Sequence, residues 1–154
     1  MKGDPQIIEV LNRGIRAELT AENQYLIEGR LFSLWGFKKL AHGMWRDWSK
    51  THRHTARLFI DRVLFLEGTP ATSPNAFTAG NSVEAIMAGA LAAEMDMRAL
   101  YSEGAKAADD ANDWVTEEIL TDVLVKLERR VKKIETQIEL IASVGLPLYS
   151  QKKI

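Results

Sequence analysis

Two histidines stand close together in the stretch WRDWSKTHRHTARL, Trp45 to Leu58, among two tryptophans and several basic residues. Imidazole can ligate metals and carry protons near neutral pH. On a period of 3.6 residues, Trp48, Thr51, Thr55, Leu58 and Phe65 form one stripe with His54 at its edge, while His52 points about 100° away from Thr51. One histidine is therefore expected near a core and the other toward a neighbouring surface. Three further residues interrupt apolar stripes elsewhere. Glu18 follows Leu11 and Ile15 at helical spacing, Glu94 lies between Met87 and Tyr101, and Arg130 lies between Leu127 and Ile134. Polar groups on core faces are informative because burial is costly without partners.

Four long helices must position these residues. Asp4-Pro5 is a helix start, and Ile7, Ile8, Leu11, Ile15, Leu19, Leu26 and Leu31 carry the first stripe to Trp35-Gly36. The second helix spans about Phe37 to Glu67, ended by a Gly68 cap and Pro70. The stretch from Gly68 to Asn81 is the only long loop, of a length suited to a crossover between parallel helices. Asn81 and Glu84 read as a capping pair for the third helix, which runs to about Ala108. After the turn ADDAND, Leu120, Leu124, Leu127, Val131, Ile134, Ile138 and Ile141 mark the fourth, closed by Gly145 and Pro147. The expected fold is all-α: one domain over residues 1–154, a four-helix bundle with a single long crossover, the ferritin-like topology.

Composition excludes several function classes. Twenty basic and 21 acidic residues leave a net charge of -1. Bulk attraction to nucleic acid is not expected, and Arg46, Lys50, Arg53 and Arg57 are interspersed with Asp47 and Asp61. The absence of cysteine removes disulfides, thiolate metal sites and thiol nucleophiles. No run of 18 apolar residues occurs, so the chain reads as soluble and cytoplasmic, with no membrane partner.

Di-iron carboxylate bundles use one Glu from each of two helices and Glu-x-x-His from each of the other two. Glu18 and Glu94 match. The second helix reads Thr51-x-x-His54 and the fourth Leu127-x-x-Arg130, so three of the six ligand positions are substituted. With MKGDPQIIEVLN, NQYLIEGRL, RVLFLEGTP and the VGLPLY ending, taken in order, the whole chain resembles bacterioferritin. That resemblance implies a 24-subunit cage built from two-fold dimers, a stored ferric mineral, a di-iron ferroxidase centre, haem b between subunits and a short fifth helix. It also implies a methionine haem ligand at the position of His52, making His52 a candidate axial ligand. Glu22 would then lie against the porphyrin, where Arg46, Lys50 or Arg53 could pair with it.

Three readings of the centre stay open. Arg130 could pair with Glu94 or Glu18 and replace metal charge; Glu18, Glu94 and His54 could hold one residual metal; or a depleted di-iron centre could still work. The expected role is a mainly structural iron-storage subunit, able to co-assemble with a catalytically active one. An active ferroxidase and a haem-binding electron-transfer cage are the alternatives, so enzyme status is open.

Overall fold

The computed structural model describes residues 1–154 and contains helices only. The first, α1, spans Pro5–Leu34, with the Asp4 side chain accepting from the Gln6 N–H and Pro5 in the first turn. Gly36, at φ 89°, lets the chain reverse after it. A π-helical turn, Leu40–Trp45, then leads directly into α2, Arg46–Phe65. Helices α3 (Val83–Asp110) and α4 (Trp114–Val144) follow, and α5 covers Leu146–Lys153. Short turns make α1 with α2, and α3 with α4, antiparallel pairs; α1 also packs on α3. The fold expectation holds: a four-helix bundle with one crossover and a short carboxy-terminal helix.

Each helix buries one stripe. Leu11 and Ile15 of α1, Phe59 and Val63 of α2, Met87 and Ala90 of α3, and Leu127 and Ile134 of α4 are wholly inaccessible. Arg62 of α2 closes one end of the bundle, reaching Asp113 at 2.7 Å and Thr116 at 2.8 Å beyond the α3–α4 turn.

Two caps differ from the sequence expectation. Ser82, not Asn81, caps α3, its hydroxyl accepting from the Ala85 N–H. At the end of α2 the left-handed residue is Glu67 (φ 61°), and the Gly68 N–H bonds the Val63 carbonyl. Gly68 is needed for space instead: a Cβ there would lie 2.8 Å from Ile8.

The crossover, residues 66–82, lies along α1, where regularly spaced side chains satisfy its backbone. Asn12 bonds both Thr69 and Ala71, the Thr20 hydroxyl accepts from the Asn75 N–H, and Glu28 accepts from the Gly80 N–H. This tie-down lets a long loop without secondary structure hold one path.

Candidate functional site

The π turn decides which residues of α2 face inward. The Arg46 N–H bonds the Ala41 carbonyl, five residues back, so the turn contains one residue more than an α-helical turn. Every residue beyond it is displaced by about 100° relative to an uninterrupted helix. The inward face of α2 is therefore Trp48, His52, Thr55, Ala56, Phe59 and Val63. This corrects the stripe drawn through Thr51, Leu58 and Phe65. Thr51 and Leu58 are half-buried, Phe65 is 55% exposed, and His54 is exposed on the outside of the helix.

His52 is instead wholly buried, at the centre of the bundle. Its Nδ1 lies 2.5 Å from Glu18 and its Nε2 3.0 Å from Glu94. A neutral imidazole has one N–H, and ionised carboxylates only accept. Both bonds at once thus need the imidazolium. Burial alone would lower the His52 pKa, but Glu18 and Glu94 outweigh it and hold it at about 9. His54 takes no part, and the expected Glu18–Glu94–His54 grouping does not form.

Arg130 reaches the cluster from α4. Its Nε donates to Glu94 Oε1 at 2.9 Å and a terminal nitrogen donates to Oε2 at 3.1 Å, the two-pronged geometry that a guanidinium supplies and an ammonium cannot. Two tyrosines complete the shell: Tyr25 donates to Glu94 at 2.9 Å and Tyr101 to Glu18 at 2.6 Å. Burial would raise the Glu94 pKa, but His52 and then Arg130 overcome it, leaving the carboxyl at about 2. Burial, reinforced by the neighbouring carboxylates, pushes both phenols well above their ordinary value. No buried side-chain polar atom lacks a hydrogen-bond partner. Two carboxylates face one imidazolium and one guanidinium, so the cluster is charge-balanced.

Aromatic packing fixes the imidazole. Tyr25 stacks on it at 5.1 Å with the rings 8° apart, and Trp45 and Trp48 meet Tyr25 edge-on at 5.4 and 5.7 Å. The sequence reading gave neither tyrosine a part in the site, although Tyr25 lies seven residues after Glu18 on α1 and Tyr101, already on the core stripe, seven after Glu94 on α3. That two-turn spacing was the available signal.

With the register corrected, the residues at the Glu-x-x-His positions are His52-x-x-Thr55 on α2 and Leu127-x-x-Arg130 on α4. Thr55 is buried and donates its hydroxyl to the Thr51 carbonyl, and Leu127 is part of the apolar core. Four of the six ligand positions are substituted rather than three. The same rotation corrects His52 as an outward-facing haem ligand, because both of its nitrogens are engaged inside the bundle. Its neighbour Arg53 is the outward residue, 3.8 Å from Glu22.

Comparison with known proteins places this geometry in a family context. A model of the ferritin-like domain matches residues 8–144. The chain is 35% identical to a bacterioferritin of Brucella melitensis biotype 1, covering 98% of this chain and 94% of that protein. It is 33% identical to a bacterial ferritin of Pseudomonas aeruginosa across the whole of both. A Rhodobacter capsulatus bacterioferritin, solved with a metal-free dinuclear site and haem iron, superposes with a TM-score of 0.96 at 33% identity, covering 99% and 96% of the two chains.

Proposed function

The chain belongs to the ferritin-like family as a homologue of the bacterioferritins, and from that premise we propose that it is a cage subunit whose dinuclear position is filled by an ion-pair cluster instead of iron. Its contribution to iron storage is the shell. The observation carrying this reading is the engagement of His52 and Arg130 with Glu18 and Glu94.

The donor set does not fit two iron ions. A dinuclear centre needs several carboxylates to balance its charge, and only Glu18 and Glu94 stand at the centre. Both are already neutralised, one cation being a guanidinium that cannot lose its proton under ordinary conditions. A metal would have to displace Arg130 and deprotonate His52 together. A residual single-metal site on Glu18, Glu94 and His54 is disfavoured for a simpler reason: His54 is on the wrong side of α2. Haem fits no better through this helix, since the outward Arg53 cannot act as an axial ligand and already lies beside Glu22.

A 24-subunit cage of such chains would hold iron oxidised elsewhere, on a co-assembled family member that keeps its ligands or on the growing mineral. Cobalt(II), a spectroscopic stand-in for Fe²⁺, tests the central point on the assembled protein. The reading expects a cage-sized particle by sedimentation and no saturable visible absorption band. A band saturating at one or two ions per chain, and lost in Glu94→Gln, would overturn it.

A further inference from the structure

Behind the ion-pair cluster, between α2 and α4, a cleft of about 210 Å³ is lined by Trp48, Thr51, Lys126, Arg129, Arg130 and Lys133. Residues 126, 129, 130 and 133 share one face of α4, and all four are cations. No carboxylate lines this cleft. Glu128, the one acid within that stretch, turns away to bond Arg98 of α3 at 2.9 Å. The ion pairs of the molecule, such as Arg62 with Asp113 and Lys106 with Asp110, do not include Lys126, Arg129 or Lys133.

Two donors lining the cleft are also unspent. Arg130 is 5% exposed, and its Nε and one terminal nitrogen serve Glu94. The other terminal nitrogen makes no hydrogen bond within the chain, yet it is not sealed from solvent. Trp48, 8% exposed, likewise has an indole N–H that is neither bonded internally nor sealed off. Like charges gathered around a concave wall raise the potential there and attract anions. Arg, Lys and indole donors together match a small ion with acceptors on every side.

We propose that this cleft binds a free tetrahedral oxyanion of the inorganic phosphate or sulfate type, held by Lys126, Arg129 and Lys133 with the spare Arg130 nitrogen at its base. The site stands on the cleft alone and does not depend on whether the chain oxidises iron. Arg130 would then span two anions, Glu94 inside and the bound ion outside.

Calorimetric titration of the assembled protein with inorganic phosphate at low ionic strength tests this. Native protein is expected to bind one phosphate per chain, in competition with sulfate. The triple variant Lys126→Gln, Arg129→Gln, Lys133→Gln is expected to bind at least about tenfold more weakly, since losing even one charge-assisted bond costs about that factor. The exchanged residues are exposed, and sedimentation checks that the variant still assembles. Lys106→Gln, outside the cleft, should bind like native protein. No saturable binding by native protein, or equal binding by the triple variant, would overturn the site.

Discussion

Raising the pH from 6.5 to 9.5 should weaken the fold through His52 alone among the groups of the central cluster. The imidazole ordinarily titrates at 6.5 and is held at about 9 here. Between those values the folded chain binds a proton that the unfolded chain has lost, so stability falls as pH rises. The contribution is complete below 6.5 and gone above about 9. The interval corresponds to about 3 kcal/mol, or roughly 6–12 °C in melting temperature for a chain of this size. Tyr25 and Tyr101, both raised, add a further loss only once unfolded phenols ionise near pH 10, outside the window. Glu94, held at about 2, has its effect at the acid end, where stability is lost as pH falls below the ordinary carboxylate range. Melting temperature measured across pH 6.5–9.5 for native protein and His52→Gln separates the effect from general alkaline destabilisation. The variant should begin lower and stay nearly flat while native protein descends toward it. Parallel curves would refute the buried imidazolium.

Arg130→Leu leaves Glu94 buried with half its compensation and should cost about 3–5 kcal/mol in denaturant unfolding; a loss below about 1 kcal/mol would mean the pair is dispensable. Gly104→Ala would place a methyl 2.5 Å from Val10 and 3.1 Å from Leu120, and should destabilise by about 1–3 kcal/mol through overpacking, read from the same unfolding curves. Deleting the exposed Gly43, around which a Cβ would meet nothing, should convert the π turn to a regular helix. Its unfolding free energy should stay within about 1 kcal/mol of native, with His52 still inside as judged by the pH dependence above.

The helices, their order and the crossover are legible in the sequence because apolar periodicity, Asp4-Pro5, Gly36 and Gly145 are local signals. Glu18, Glu94 and Arg130 are likewise visible as polar interruptions of apolar stripes, and all three are buried. The phase of α2 was not legible. LAHGMW carries no proline or other marker of a π turn, and the two candidate phases place a histidine inside or outside with comparable apolar support. Only packing against α1 and α3 selects His52, through contacts separated by 34 and 42 residues. The Asn12, Thr20 and Glu28 anchors of the crossover were hidden for the same reason: they meet backbone more than fifty residues away.

That register also dictates how an iron centre would be rebuilt. The required exchanges are His52→Glu, Thr55→His, Leu127→Glu and Arg130→His, leaving Thr51 alone. Aerobic Fe²⁺ oxidation by the assembled native protein, set beside buffer and this fourfold variant, tests the central claim most directly. The ion-pair cluster predicts native rates equal to buffer and a fast variant. Native oxidation well above buffer, abolished by Glu94→Ala, would contradict it and place iron where His52 and Arg130 now stand.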